Sequence, residues 1–349
     1  MFRALGKVRN GNSLTEPLPA VSILISARNE EANIETLLKS LLNQDYKGHY
    51  DIWIADDRST DKTLEILKQF EKKHQEKLHI LEIKEIPKNI SPKKNAISKL
   101  IEASSGEILL LSDADCVQPE TWVSAMIREF EPGIDFVAGN SYIEIKKKSA
   151  LLYMQAVETL SYRIAGTAGL AMKLPLTSTG NNLAYRRTFF TKIKGFENVS
   201  HIQSGDDDLL MQKAAKNPWC MRYAINPETF VKTDGKETFK ELFEQRKRWA
   251  SKTIYYTPKT LFVLGGIFLF FLCLTLAPLL SVLNLKILVL ALAMFLLKLT
   301  ADVFLFKRGL KIFRQEFLFK WFIPVEFVHA PFTVFAVLFG IFGKFRWKN

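Results

Sequence analysis

Cysteine is scarce in this chain of 349 residues, which contains three: Cys116, Cys220 and Cys273. Their number is odd, their spacing fits no metal-ligand motif, and Cys273 lies inside an apolar run. The sequence therefore argues against a disulfide framework and indicates a reducing compartment.

The first twenty residues lack an apolar stretch long enough for a signal peptide or a membrane anchor. They carry Arg3, Lys7, Arg9 and two prolines instead. We therefore expect residues 1–18 to form a cytoplasmic arm ahead of the first folded element.

The last hundred residues have few acidic side chains: from Ala250 onward, twelve Lys and Arg stand against three Asp and Glu. A basic chain can favour nucleic acid or an anionic membrane surface. Here the excess flanks two apolar runs, 261–283 without a charge and 285–306 with three charges. Each run is as long as the roughly 20 residues that a bilayer-spanning helix needs. The sequence therefore predicts a membrane as partner, and no nucleic acid.

A third apolar run, 321–343, is interrupted by Pro324, Glu326, His329 and Pro331. It is either a kinked span or a re-entrant or interfacial segment. The loop 307–320 carries five Lys and Arg, which predicts a cytoplasmic location for it. The tail 344–349 is also basic and favours the cytoplasm, yet three full spans would put it outside. The two expectations conflict.

Among the motifs that are present, ILLLSDADC at 108–116 is the most informative. Its four apolar residues predict a buried strand of a parallel sheet, and Asp113 and Asp115 come where that strand ends. Open α/β sheets bind ligands at the carboxyl ends of their strands. Two carboxylates there suit a divalent cation, Mg or Mn, that also takes phosphate oxygens. The alternative is a solvated, Asp-rich turn.

Further strands are predicted at 19–27, 51–55, 79–83 and 136–142, and they alternate with helical segments. This alternation is typical of an α/β fold with a mostly parallel sheet and helices on both faces. The motif DDRSTDKT at 56–63 directly follows the second strand. Its carboxylates could accept hydrogen bonds from a ribose or a base, or the motif could merely begin the next helix.

Three later segments each allow two interpretations. SGDDDLL at 204–210 places three carboxylates together, which need a cation, a helix dipole or a basic partner if they are buried. It could equally be a surface turn. FKELFEQRKRW at 239–249 predicts an amphipathic helix, functional or simply solvated. The segment 149–173 is either a helix at the membrane surface or a core helix.

In order and in type, these segments resemble the motifs of membrane-anchored, inverting family 2 glycosyltransferases, which have a GT-A nucleotide-sugar fold. VSILISARNEEANI at 21–34 is similar to the family's first strand and turn, and DDRSTDKT to its second-strand motif. SDADC is similar to the DxD motif, SGDDDLL to the acidic motif, and QRKRW to the QxxRW motif. The resemblance implies a GT-A domain over 19–252, followed by a membrane domain over 253–349.

The resemblance also implies residues for the donor. Nucleotide-sugar binding would fall to six side chains or backbone positions: Ala27, Glu30, Asp56, Asp57, Lys94 and Asp113. Lys94 would face the diphosphate, with Lys93 as the alternative. Asp115 would help to ligate a divalent metal, Mg or Mn.

For the reaction itself, the resemblance implies that Asp207 is the general base. Asp206 stands where many members of the family have Glu, which keeps the charge but shortens the reach. Gln245, Arg248 and Trp249 match the motif that lines the acceptor site and helps to position the donor in processive synthases.

The resemblance implies transfer of a sugar from a nucleotide-sugar donor, expected to be a UDP-sugar, to a membrane-embedded or lipid-linked acceptor. A base on the face opposite the leaving group gives one displacement, so the anomeric configuration is inverted. QxxRW is associated with polymer synthesis, but two or three spans are few for a polymer channel. We therefore expect transfer of one or a few sugars, unless an oligomer or a partner subunit completes a processive synthase.

Two other classes of protein compete with this interpretation. One is a membrane-tethered module that binds nucleotide sugars without turnover, against which the three carboxylates Asp113, Asp115 and Asp207 argue. The other is a nucleic-acid binder, which would need its Lys and Arg on the soluble part rather than in the last hundred residues.

Overall fold

The structure is a computed structural model that describes residues 1–6, 8–9, 11, 17–215 and 220–343. It divides into two compact units. The sheet unit comprises residues 7–144 and 169–234, and the helical unit comprises residues 1–6, 145–168 and 235–349. Positions 7, 10 and 12–16 of the predicted arm, and the basic tail 344–349, lie outside the described residues. The domain boundaries predicted after residues 18 and 252 stay predictions.

The described strands all belong to the sheet unit. In chain order they are β1 Val21–Ala27, β2 Tyr50–Asp57, β3 Leu78–Ile83, β4 Ile108–Asp113, β5 Cys116–Val117, β6 Phe136–Ala138, β7 Ser141–Ile143, β8 Leu183–Arg186, β9 Met221–Tyr223 and β10 Val231–Thr233.

The described α-helices are α1 Phe2–Leu5, α2 Ile34–Leu42, α3 Thr63–Lys73, α4 Pro92–Ala103, α5 Trp122–Ile127, α6 Ala150–Ala171, α7 Arg187–Lys192, α8 Asp208–Lys213, α9 Phe239–Ser251, α10 Pro258–Leu280, α11 Leu285–Phe313 and α12 Phe319–Phe342. Short 3₁₀ helices cover Pro227–Thr229, Thr253–Tyr255 and Glu316–Leu318.

The main sheet has seven strands in the order β3-β2-β1-β4-β8-β6-β9. Strands β3, β2, β1 and β4 run parallel, and β8 is antiparallel to both of its neighbours. The chain goes from β1 to β2 on one side and later returns to place β4 on the other side. The carboxyl ends of β1 and β4 therefore border the crevice where α/β sheets bind ligands.

Apolar strand residues alternate between two hydrophobic cores, one on each face of the sheet. Ile23 and Ile25 of β1 lie in the core with Leu38 of α2, whereas Leu24 lies in the core with Leu100 of α4. Continuous apolar runs such as β1 and β4 are typical of strands buried on both faces. The predicted fold, a mostly parallel sheet with helices on both faces, is confirmed.

The predicted strand 136–142 is two short strands in different sheets. β6 belongs to the main sheet, and β7 belongs to a three-stranded sheet in the order β5-β10-β7. Between them, a Cβ on Gly139 would lie 2.2 Å from Cγ of Asn182, so only glycine fits. The chain changes sheet at this close approach.

In the helical unit, three helical segments of the described chain are long and apolar enough to cross a membrane. They are Pro258–Leu280, Leu285–Phe313 and Glu316–Phe342. These correspond to the predicted runs 261–283, 285–306 and 321–343. The unit also contains most of α6 and all of α9.

Candidate active site

The sheet unit brings several predicted site residues to one edge of the main sheet. Ala27, the last residue of β1, pairs with Asp56 of β2, and Ser26 pairs with Asp113, the last residue of β4. Asp56 and Asp57 therefore belong to the strand rather than to the turn after it. Backbone pairing fixes these carboxylates along the carboxyl edge.

The loops after β1 and β2 are held together by hydrogen bonds between backbone and side chains. The Asn29 N–H donates to Oγ of Ser59 at 3.0 Å, and the Glu30 N–H donates to Oγ1 of Thr63 at 2.8 Å. Asn29 and Arg58 have φ of 53° and 58°, a left-handed conformation that costs free energy for a residue such as Arg. These contacts place Glu30 beside the end of β2.

One oxygen of Asp56 is unusual. Oδ2 accepts a hydrogen bond from the Ser59 N–H at 3.2 Å, but Oδ1 is buried and has no hydrogen-bond partner among the described residues. Asp57 instead pairs with Arg58 at 3.0 Å. Buried acceptors are nearly always hydrogen-bonded in folded proteins, so Oδ1 of Asp56 is suited to a donor group on a ligand.

Lys93, near the start of α4, lies between two acidic segments. Its Nζ is 2.7 Å from Oδ1 of Asp113 and 2.8 Å from Oδ2 of Asp206. Burial alone would lower the pKa of Lys93, but Asp113 and Asp206 outweigh it and hold the pKa well above its usual value. Lys93 is therefore a cation that joins the DxD motif to the acidic motif.

Lys94, the lysine chosen from the sequence, has a different environment. Its ammonium donates to the backbone carbonyls of Val199, Ile202 and Ser204 at 2.7–3.0 Å, and the side chain is 1% exposed. An ammonium has three N–H donors, and all three are engaged here. Of the two lysines, Lys93 is thus the one that contacts the carboxylates at this edge.

The three adjacent aspartates of the acidic motif each have a different partner. Asp206 pairs with Lys93, Oδ1 of Asp207 accepts from the Asp208 N–H at 2.6 Å, and Oδ1 of Asp208 accepts from the N–H of Ser178 at 2.7 Å. Asp207 is the N-cap of α8, where a carboxylate is favoured. These contacts relieve the repulsion that their proximity would cause.

Gly180 lies against this cluster. A Cβ at this position would be 2.7 Å from Oδ2 of Asp206 and 3.2 Å from Nζ of Lys93. The loop that contains TSTGNN, residues 177–182, therefore forms a wall of the site. The sequence feature that could have indicated this role is a glycine followed by two residues with amide side chains.

The edge offers carboxylates for a metal but, within the described ranges, no group of three His, Cys, Asp or Glu that could hold an ion unaided. Asp113 and Asp115 suit a Mg or Mn ion that takes its remaining oxygens from a diphosphate and water. Cys116 is a poor ligand candidate because Mg and Mn prefer oxygen ligands. Burial and the two carboxylates raise the pKa of its thiol. The protonated thiol donates to Oδ1 of Asp115 at 3.6 Å.

The QxxRW residues lie in the helical unit. Gln245, Arg248 and Trp249 are half-buried on α9, which begins with a capping box between Thr238 and Glu241. Arg246 lies inside the motif and is 4% exposed. The sequence had not singled it out, since a buried arginine on a polar helix has no signature in the helical pattern.

Comparison with known proteins agrees with the fold and the motifs. The family described as Glycosyl transferase family 2 matches residues 22–193. The Beta-monoglucosyldiacylglycerol synthase of a Nostoc species is 42% identical over 99 residues, which are 28% of this chain and 20% of that protein. The probable glycosyltransferase YdaM of Bacillus subtilis is 27% identical over 251 residues, 70% of this chain and 57% of that protein. The chain thus spans between a fifth and three fifths of these relatives.

Among solved structures, the mannosyltransferase PcManGT of Pyrobaculum calidifontis, in complex with GDP-Man and Mn2+, superposes with a TM-score of 0.62 at 18% identity. The match covers 97% of this chain and 92% of that one. This likeness agrees with a GT-A fold. The family described as Glycosyl transferase family group 2 matches residues 108–305, more than half of the chain. The chain belongs to the family 2 glycosyltransferases.

Proposed function

We propose that this protein is an inverting glycosyltransferase that moves a sugar from a nucleotide-sugar donor to an acceptor embedded in the membrane. One observation carries the proposal: Lys93 bridges Asp113 and Asp206 at the carboxyl edge of the sheet. A cation between two acidic motifs can exchange its carboxylate partners for a diphosphate. The site thereby offers a place for the leaving group of a sugar transfer.

The nucleoside would bind along the ends of β1 and β2. Ala27, Glu30, Asp56 and Asp57 form this part of the site. Oδ1 of Asp56, which has no partner in the described part of the chain, supports the assignment, because a base imino group or a ribose hydroxyl would satisfy it. A UDP-sugar is the first donor to test.

The diphosphate would lie between Asp113 and Lys93, which takes the role predicted for Lys94. Asp115 would help to hold Mg or Mn there, and the ion would offset the charge that the leaving group gains. The Mn2+ and GDP-Man in the Pyrobaculum structure support a divalent ion. Lys93 would supply a second positive charge to the leaving group.

Asp207 would act as the general base. A hydroxyl is a poor nucleophile near neutral pH, so a carboxylate within hydrogen-bond reach must accept its proton as the hydroxyl oxygen attacks the anomeric carbon. The bond to the diphosphate breaks in the same displacement, and the configuration inverts. The Asp208 N–H holds Asp207 through Oδ1 and fixes its orientation.

The acceptor would be a lipid hydroxyl or a lipid-linked sugar. Three apolar helices support a membrane location, and the matching Nostoc protein carries the name of a glycolipid synthase. Gln245, Arg248 and Trp249 would contact the acceptor and help to position the donor. The five Lys and Arg of 307–320 favour a cytoplasmic location for the active site. One or a few sugars would be added per acceptor, in the absence of a partner subunit.

The test uses the full chain in nanodiscs with a panel of UDP-glucose, UDP-galactose, UDP-N-acetylglucosamine and GDP-mannose. Dioctanoylglycerol and farnesyl phosphate serve as acceptor probes, with Mn, Mg or EDTA. We expect metal-dependent consumption of one donor, a glycolipid product, and loss of turnover in Asp207→Asn. Donor binding by calorimetry without consumption in any combination would favour a non-catalytic binding module and contradict the proposal.

A further inference from the structure

A buried ion pair lies directly beside the QxxRW motif in the helical unit. Arg246 of α9 donates from Nε and Nη2 to Oε2 of Glu158 on α6, at 2.9 and 2.7 Å. The two side chains are 4% and 2% exposed. Arg246 occupies the first variable position of QxxRW, and neither residue belongs to the predicted site.

The remaining contacts of this pair lead to two motif residues. Nη1 of Arg246 donates to Oε1 of Gln245 at 2.5 Å, and Cζ of Arg246 lies 4.1 Å from the centroid of the Trp249 ring. On the other side, Oε1 of Glu158 accepts from the Tyr162 hydroxyl at 2.8 Å, and the Tyr162 ring meets Trp249 edge-on at 6.1 Å. Trp249 is thus contacted by a guanidinium and by a second aromatic ring.

Burial would raise the pKa of Glu158, but Arg246 outweighs burial and holds the pKa below its ordinary value. Glu158 is therefore ionised near neutral pH, and both its oxygens are engaged. An ion pair this deeply buried gives little net stability compared with apolar residues of the same size. An apolar pair could not supply the geometry of this ion pair. The planar guanidinium holds Glu158, Gln245 and Trp249 in fixed orientations relative to one another.

We propose that Glu158 and Arg246 are positioning residues for the acceptor: Glu158 orients the Arg246 guanidinium, which in turn orients the Gln245 amide and the Trp249 indole. This inference rests on the proposed function of the motif. Arg246 acts through its two neighbours, and its own charge is neutralised by Glu158. Lysine in its place would keep the charge but lose the fork and the stacked plane.

The test measures acceptor kinetics of Arg246→Lys and Glu158→Gln in nanodiscs, with dioctanoylglycerol, or with farnesyl phosphate if wild type uses that probe. We expect the KM for the acceptor to rise by between about tenfold and a hundredfold, the penalty of a misplaced contact group. Affinity for the nucleoside diphosphate should stay within about twofold of wild type, because the residues proposed to bind it lie in the sheet unit. A merely structural role would instead reduce the active fraction, which lowers kcat at unchanged KM.

Glu244→Gln is the matched control, because Glu244 pairs with Lys247 on the same helix at 2.8 Å. Its acceptor KM should equal that of wild type. If Glu158→Gln does not fold, Arg246→Lys carries the same test, since it leaves a cation beside Glu158. An acceptor KM equal to the control in the folded variants would overturn the inference. Wild-type protein without any transfer would instead contradict the proposed function, so the two failures are distinct.

Discussion

Two adjacent lysines at the start of α4 have opposite expected roles. Lys93 contacts Asp113 and Asp206, whereas Lys94 satisfies three backbone carbonyls of the segment 199–204. We expect Lys93→Met to weaken nucleoside diphosphate binding by about tenfold to a hundredfold, the equivalent of one lost charged hydrogen bond. Calorimetry on the full chain measures this.

Lys94→Met should mainly lower stability. Three buried carbonyls would lose their donor, at about 3 kcal/mol or more of unfolding free energy in total. Thermal melts followed by near-UV circular dichroism compare the two variants, with the exposed Lys88→Met as control. If Lys94→Met folds as stably as the control and loses diphosphate affinity, the roles of the two lysines are reversed.

Two aspartates should give opposite kinetic signatures. Asp207→Asn removes the proton acceptor but keeps the side-chain oxygen that caps α8, so donor and metal binding should stay near wild type while turnover falls by about a hundredfold or more. Asp115→Ala should weaken metal-dependent donor binding instead. Titrating Mn in the presence of UDP distinguishes them. Equal donor affinity in wild type and Asp115→Ala would remove Asp115 from the metal site.

At the residue level, the sequence predicts the position of the carboxylate Asp113, but it does not predict which lysine lies between Asp113 and Asp206. Asp113 is the last residue of a strand that begins with four apolar residues, so its place on the sheet edge is a consequence of the strand pattern. Lys93 and Lys94 are neighbours on a helix and point about 100° apart. Which of them faces the sheet edge depends on the packing of α4, and a single sequence does not encode this locally.

At the scale of elements, one side chain joins three chain segments of the sheet unit. Asn182, at the entrance to β8, accepts from Nε1 of Trp122 at 3.0 Å and donates to the carbonyls of Asn140 and Thr229, each at 2.7 Å. It is fully buried. Asn140 lies just before β7, and Thr229 lies just before β10. Trp122 begins α5, the helix that follows the DxD motif.

We expect Asn182→Ala to lower the unfolding free energy by about 3 kcal/mol, because two buried carbonyls and an indole N–H lose their partner. Asn181→Ala is the matched control, since the Asn181 side chain contacts Thr179 nearby, and it should stay within about 1 kcal/mol of wild type. Chemical denaturation of the full chain in detergent, followed by tryptophan fluorescence, compares them. Equal stability of the two variants would contradict the role of Asn182.

Long elements were predictable and short ones were not. Strands β1, β2 and β4 have six to eight residues and an apolar pattern, so the sequence locates them. Strands β6 to β10 have three or four residues, and their pairing depends on contacts such as Asn182 with Gly139. These contacts are distant in sequence, which is why 136–142 looked like one strand.

At the scale of the whole molecule, the sequence left the path of α12 open, and contacts within the helical unit favour one answer. Helices α10 and α11 are joined by the short turn 281–284, so α10 begins and α11 ends at the same end of this hairpin. Near the end of α11, Phe306 stacks on Phe322 of α12 at 4.4 Å between ring centroids. α12 therefore starts at that end.

The second half of α12 packs against α9. Phe339 contacts Phe243 of α9 at 6.0 Å, and a Cβ on Gly340 would lie 2.5 Å from the Lys247 carbonyl. α9 carries several charged side chains beside this contact, which belong near water rather than in hydrocarbon. Because α9 leads into the start of α10, we predict that α12, one uninterrupted helix, lies along the membrane interface without crossing to the other side, and that residue 343 lies on the same side as the loop 314–318.

Cysteine accessibility tests this topology in a Cys273→Ser background, since Cys116 and Cys220 are buried. Single cysteines at the exposed positions Glu316, Phe342 and Leu283 would be labelled with a membrane-impermeant maleimide in oriented vesicles. We expect Glu316→Cys and Phe342→Cys to react from one side and Leu283→Cys, in the hairpin turn, from the other. Labelling of Phe342→Cys from the side of Leu283→Cys would make α12 a third span. The predicted result would leave two spans, and it would remove the conflict between three spans and the basic residues that the sequence has after residue 343.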